Sequence, residues 1–267
     1  MASVRRVLLL GGYGAIGRLV VRSLVSQALS VTVLGGRAHD DELHRYGLLQ
    51  NDALHALGTS PVCRVDQRVL PASELGPGGQ RVAVDSLVDA IPREVDAAAG
   101  GAGGCEHVAA VYVSDESDEL RRAPCPTLEA YARTCRDVNI TCMTAFLPGV
   151  RHKDGGPDDA EFLRELNFRE LATIQPARLQ GQPSMGDGGG GSLAPSHLLA
   201  SLSTFLGARM SRVGASEPPG VPIDVVARTI AFATVRAMDG SLAGERDLAW
   251  ARYDDEESMK KLISLYD

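Results

Sequence analysis

The run Leu10-Gly11-Gly12-Tyr13-Gly14-Ala15-Ile16-Gly17 constrains this chain more than any other feature. It follows the apolar stretch Val4–Leu10 and opens a helical stripe of Ile16, Leu19, Val20, Leu24 and Val25 within Gly14–Ser26. A strand that is apolar throughout suits a central parallel position, buried on both faces. The glycines satisfy two spacings at once, Gly12-x-Gly14-x-x-Gly17 and Gly11-x-x-Gly14-x-x-Gly17. In either, the first glycine allows a tight turn after the strand and the middle one lets backbone N–H groups approach a pyrophosphate. The last lets the helix pack closely on the sheet, so the phosphates sit at its positive end. A strand before and a helix after are the context this pattern requires. The expected ligand is therefore a dinucleotide, held by Gly11, Gly12, Tyr13, Gly14, Ala15, Ile16 and Gly17.

The alternation continues. Val31–Leu34 reads as a second strand, followed by a helical stretch over Asp41–Leu57 and a third strand at Val62–Val65. A fourth strand is expected within Arg81–Ile91, a helix over Arg93–Ala99 and a fifth strand at His107–Val113. This order predicts an α/β fold with a doubly wound parallel sheet, Rossmann-like, in which residues 1–115 form the dinucleotide-binding core. Further on, helices are expected over Thr127–Val138, Pro195–Gly207 and Ile223–Met238, an apolar segment at Ile140–Phe146, a loop at Pro148–Pro157 and a strand at Leu171–Ile174. With no internal repeat and no long linker, the chain reads as one domain over 1–267. Residues of about 176–222 are expected to contribute a small C-terminal lobe for a substrate or partner.

The type of dinucleotide is read after the second strand, where an NAD site places a carboxylate for the ribose 2′-hydroxyl. Here stands Gly35-Gly36-Arg37, and a guanidinium suits a 2′-phosphate. NADP(H) is favoured, with NAD as the alternative because Asp40 and Asp41 are near enough to pair with Arg37. Asp66, expected just past the third strand, is either an adenine contact or a solvated turn carboxylate.

Composition excludes several classes. A net charge of −7 gives no footprint for nucleic acid. The five cysteines form no Cys-x-x-Cys pair and read as free thiols, so no metal site is expected. His39 and His44 lack any metal-binding spacing. No apolar run reaches the ~18–20 residues of a membrane span. The N-terminal residues enter the first strand at once and leave no room for a cleaved leader, so cytoplasm is the expectation. The acidic run Asp254-Asp255-Glu256-Glu257 reads as a solvated face.

Four segments together resemble the atypical short-chain dehydrogenase/reductases, of the NmrA-like and Tat-interacting-protein-like kind. VLLLGGYGAIGRLVVRSLV is similar to the family's opening strand, loop and helix. GGCEHVAAVYVSD (Gly103–Asp115) resembles its fifth strand, which ends at the catalytic-position serine, here Ser114. NFRELATIQPARLQG (Asn167–Gly181) resembles the sixth-strand segment, without its usual arginine, and VPIDVVARTIAFATVRAM (Val221–Met238) the late helix. A weaker likeness of TCMTAFLPGVRH (Thr141–His152) is to the saccharopine-dehydrogenase-like group.

The departure from the family matters as much as the match. Its reductases use Tyr-x-x-x-Lys, in which the lysine lowers the tyrosine's pKa and holds the nicotinamide ribose while the tyrosine transfers a proton. Four residues after tyrosines 13, 46, 112, 131 and 253 stand Gly17, Gln50, Glu116, Cys135 and Glu257, and Tyr266 is followed by Asp267 alone. The remaining catalytic candidates are Ser114, Tyr131 and Lys153. Lys153 is one of only three lysines and reads either as a ribose contact or as a surface residue. The resemblance thus implies an NADP(H)-binding, structural or redox-sensing subunit with protein partners in a larger assembly. An accessory subunit of respiratory complex I has that role, which makes the mitochondrial matrix a second expected location. An active NADPH-dependent reductase of a small carbonyl substrate is the alternative.

Overall fold

A computed structural model describes residues 5–12, 15–35, 63–70, 72–76, 79–82, 84–99, 107–114, 125–147, 159–177, 179–180, 220–240 and 249–266. In chain order the described elements are β1 (Arg5–Leu10), α1 (Ala15–Ser26), β2 (Ser30–Gly35), β3 (Val65–Val69), β4 (Ala72–Gly76), β5 (Gly79–Val82), α2 (Val84–Ala99), β6 (His107–Val113), α3 (Pro126–Asp137), β7 (Cys142–Phe146), α4 (Asp159–Glu165), β8 (Glu170–Ile174), α5 (Ile223–Met238), β9 (Ala249–Tyr253) and α6 (Glu256–Ile263). Seven strands form one parallel sheet in the order β3-β2-β1-β6-β7-β8-β9, while β4 and β5 pair apart as an antiparallel hairpin. This is the doubly wound, Rossmann-like α/β fold that the sequence predicts.

The side-chain alternation of a strand sorts the core into two layers. Val7 and Leu9 of β1 join α1, α5 and α6 on one face, with Val20, Leu24, Ile230 and Met259. Leu8 and Leu10 join α2, α3 and α4 on the other, with Ile91, Leu128 and Leu163. Both faces of β1 are therefore covered, which is why its sequence is apolar without alternation. The helix over 223–238 and the strands at 5–10 and 170–174 lie where periodicity places them.

The region around Arg81–Ile91 differs from expectation. β5 ends at Val82 and belongs to the hairpin, and residues from Val84 onward form helix α2. Val84, Leu87, Val88 and Ile91 have helical spacing, and Leu87 and Ile91 are fully buried. Pro92 lies inside the helix, where proline ordinarily breaks one. His107–Val113 is consequently the fourth strand of the main sheet, not the fifth. The third strand also lies later than expected, at Val65–Val69 instead of Val62–Val65.

The chain's end is more ordered than its charge suggests. β9 and α6 were not apparent from the sequence, and the acidic run builds the junction between them. Asp254 pairs with Arg252 at 2.6 Å, Asp255 caps α6 by accepting from the Ser258 N–H at 2.8 Å, and Glu256 pairs with Lys260 at 2.5 Å. The expected helices over Asp41–Leu57 and Pro195–Gly207 and the loop at Pro148–Pro157 lie outside the described residues. Across the expected lobe, the two described ends meet: Leu179 bridges Val221, and the Gln180 N–H donates to the Val221 carbonyl at 2.8 Å.

Candidate functional site

The candidate site lies at the carboxyl ends of β1 and β6, the two central strands from which the sheet is wound in opposite directions. Such a switch point leaves a crevice in which α/β proteins bind ligands. β1 delivers Gly11 and Gly12 there, and β6 delivers Ser114.

The glycine turn has no free space on its protein side. Gly11 has φ +92°, a left-handed conformation that side chains disfavour, and a Cβ there would lie 1.9 Å from the Val113 carbonyl oxygen. A Cβ on Gly12 would meet Val33 Cγ1 at 2.6 Å, and one on Gly17 would meet the Gly11 carbonyl oxygen at 2.2 Å. Gly17 thus brings the first turn of α1 against the backbone of the loop it follows, as the spacing predicts. The first turn of α1 carries no acidic residue that would offset its positive end. A cradle closed by glycines against a helix N-terminus fits the pyrophosphate of a dinucleotide.

Other expected contacts are placed less simply. Ala15 starts α1, but the Ile16 side chain faces the core, 3% exposed, and so supports the turn from behind. Tyr13, Gly14, Arg37 and Lys153 lie outside the described residues. β2 ends at Gly35, two residues before Arg37.

Asp66 is not at the carboxyl edge. It is the second residue of β3, paired in register with Thr32, and its carboxylate is held by Arg64. The strand continues for three more residues beyond it. The charged residue nearest that end of β3 is Arg68, held by Glu94 of α2 at 2.5 Å, a pair that no local sequence pattern announces.

The catalytic candidates separate. Ser114 follows β6 directly, 3% exposed, and its N–H donates to the Phe146 carbonyl at 3.2 Å. It adjoins the glycine turn through Val113, yet it closes the fourth strand of the sheet. The next described strand of the sheet is β7, which pairs with β6 and ends at Phe146.

Tyr131 is a core residue. It is fully buried on α3, and its hydroxyl donates to the Leu8 carbonyl at 2.7 Å. Burial raises its pKa well above the ordinary tyrosine value, reinforced by neighbouring Cys135 and opposed by a backbone hydrogen bond from Val111. A phenol so placed is shielded from solvent. The helix that follows β7 among the described residues, α4, reads DAEFLRE and contains neither tyrosine nor lysine.

The thiols among the described residues are buried as well. Cys63, Cys125, Cys135 and Cys142 are buried free cysteines, and desolvation raises the pKa of Cys63 to about 11 and those of Cys135 and Cys142 as well. Among the described residues no group of three His, Cys, Asp or Glu side chains is arranged to hold a metal, and no helix is long and apolar enough to cross a membrane.

Known structures share this architecture. A UDP-Glc/GlcNAc 4-epimerase from Campylobacter jejuni is similar at TM-score 0.50 and 12% identity, over 98% of this chain and 82% of that one. The MalC reductase/Diels-Alderase from Malbranchea aurantiaca is similar at TM-score 0.50 and 13% identity, over 94% of this chain and 95% of that one. The terminal R domain from the myxalamid PKS-NRPS biosynthetic pathway is similar at TM-score 0.51 and 13% identity, over 94% of this chain and 66% of that one. These structures share the doubly wound, Rossmann-like α/β fold of this chain. No protein-family model matches the chain, and no curated protein matches it in sequence.

Proposed function

We propose that this chain binds a nicotinamide dinucleotide, NADP(H) in preference to NAD(H), and acts as a structural or redox-sensing subunit that does not turn the cofactor over. Gly11, Gly12 and Gly17 shape the pyrophosphate cradle, Gly14 and Ala15 complete the turn, and Arg37 takes the 2′-phosphate. The bound cofactor's chemistry is hydride transfer at its nicotinamide, which a reductase couples to proton transfer from a tyrosine.

One observation carries the reading: a closed glycine cradle coexists with a Tyr131 hydroxyl spent on the Leu8 carbonyl inside the core. A binder keeps the first and has no use for an exposed acid. Protein partners in a larger assembly, in the cytoplasm or the mitochondrial matrix, belong to the same reading.

Calorimetry and thermal melting with NADPH and NADH, together with an aldehyde, ketone and quinone panel, form the test. NADPH at 100 times its Kd adds about 2.7 kcal/mol to the folded state by mass action alone. The expected result is a raised Tm with NADPH, a smaller rise with NADH at equal concentration, and no oxidation of NADPH across the panel. Turnover that disappears in Ser114→Ala or Lys153→Ala while cofactor affinity is retained would make the protein a reductase and overturn the non-catalytic reading.

A further inference from the structure

Helix α2 repeats one dipeptide along its length: Val84-Asp85, Val88-Asp89 and Val95-Asp96. At about 3.6 residues per turn the three valines fall within about 40° of one another, over about 16 Å of helix. The aspartates, each one residue on, form a second row beside them. Leu87 and Ile91, fully buried, seat α2 on the fold. Val84 is instead 39% exposed and Val88 47%, Val95 is partly buried, and all three aspartates are exposed. Exposed apolar side chains scattered singly are ordinary, whereas a row at i and i+4 is what one helix presents to another.

Pro92 adds an acceptor to the same segment. It has no N–H, so the carbonyl of Val88, four residues earlier, lacks its helical donor. Among the described residues no cation pairs with Asp85, Asp89 or Asp96, and Arg93 is the only basic residue of the helix. An occupant must therefore bring apolar groups for the valines and charged donors for the aspartates, because a carboxylate desolvated without a partner is costly. A second copy of this chain brings the same aspartates to the seam, and an anionic lipid surface brings more negative charge. Both meet like charge, which disfavours them. The chain's net charge of −7 draws a basic partner instead. Arginine fits best, since its planar guanidinium offers several donors in a fixed fork to carboxylate and carbonyl oxygens.

We infer that the strip of Val84, Val88 and Val95 docks a basic amphipathic helix of a partner protein, with its apolar stripe on the valines and its arginines along the aspartate row. The inference rests on the part of the reading above that gives the chain protein partners, and it is independent of the dinucleotide.

The first test titrates the full chain, by fluorescence anisotropy, with a synthetic helical peptide carrying a leucine stripe edged by arginines. A control peptide has glutamates in place of the arginines. The variants are Val84→Ser/Val88→Ser, the isosteric Asp85→Asn/Asp89→Asn, and Leu265→Ser, which alters an exposed apolar residue elsewhere. Circular dichroism checks that each is folded, as expected of exposed positions. Both double variants are expected to weaken binding of the arginine peptide by at least about tenfold, with Leu265→Ser within about twofold of wild type. No binding of that peptide, equal binding of the two peptides, or unchanged affinity in either double variant overturns the inference.

The second test measures the size of the complex that the tagged full chain forms in its own cells. A monomeric wild type overturns the partner reading itself. An assembly that persists in Val84→Ser/Val88→Ser keeps that reading and overturns the docking strip, whereas its loss from the folded variant supports the strip. A dimer of the purified wild type that the same variant dissolves assigns the strip to a second copy and overturns the inference.

Discussion

A Cβ on Gly17 would lie 2.2 Å from the carbonyl oxygen of Gly11, closer than any side-chain atom can approach a backbone oxygen. The first turn of α1 therefore touches the backbone of its own preceding loop, and this contact sets the depth of the cradle. No rotamer relieves a clash with main chain.

Gly17→Ala should force α1 away from the turn. Overpacking of this kind costs about 1–3 kcal/mol, and the displaced helix N-terminus loses its aim at the phosphates. The expected outcome is a lower Tm and NADPH binding weakened by at least about tenfold, ~1.4 kcal/mol, in the fraction that remains folded. Calorimetry that finds wild-type affinity in a folded Gly17→Ala protein would show that no pyrophosphate sits at this turn.

Arg37→Ala tests which cofactor is read. β2 ends at Gly35, two positions before Arg37 in the sequence, and the ribose of a dinucleotide is read just after the second strand in folds of this kind. Loss of a charge-assisted hydrogen bond to a 2′-phosphate should cost NADPH about 1.5–3 kcal/mol, and NADH, which lacks that phosphate, much less. Equal losses for the two cofactors would remove Arg37 from the site.

How much of this was legible in the sequence follows from the range of the interactions involved. The cradle is local: Gly11 and Gly17 are six residues apart, and their roles follow from the spacing alone. β1 and α5 declare themselves by apolar run and by helical period. The α2 segment misled because Pro92 interrupts a stripe whose other members, Leu87 and Ile91, are fully buried. One misplaced strand then shifted the count, so that His107–Val113 is the fourth described strand of the main sheet. Tyr131 could not be read locally at all. Its partner Leu8 is 123 residues away, and only the packing of α3 on the sheet brings the two together. The same holds for Asp255, whose capping role depends on a helix too short and too charged for its period to stand out.

Asp255→Ala should act on stability without touching the site. The Asp255 side chain accepts from the Ser258 N–H at the start of α6, and α6 buries Met259, Leu262 and Ile263 on the face shared with α5. Removing an N-cap carboxylate costs typically about 1 kcal/mol. For a domain of this size that corresponds to a fall of roughly 2–4 °C in Tm. NADPH affinity should be unchanged, and a change of several fold would mean that α6 communicates with the glycine turn.

Alkaline pH should unfold this protein from within its core. Cys63 lies just before β3, 2% exposed, with its thiol donating to the Leu29 carbonyl at 3.1 Å, and burial raises its pKa from 9.0 to about 11. The same cause raises Cys135, Cys142 and Tyr131. Above pH 9 the unfolded chain releases thiol protons that the folded chain retains, so the unfolded state binds fewer protons and stability falls as pH rises. The contribution of Cys63 is complete below pH 9 and is lost by about pH 11, on the order of 2–3 kcal/mol at 1.36 kcal/mol per unit. Melting curves between pH 8 and 11 should show a continuous fall in Tm, and the fall should be shallower in Cys63→Ala because one of the titrating groups is gone. In the same pH 8 buffer the native protein's buried thiols should resist an aromatic disulfide reagent until denaturant is added, since the thiolate is the reactive form. Rapid native labelling of Cys63, or a Tm that is flat from pH 9 to 11, would contradict the burial of these groups.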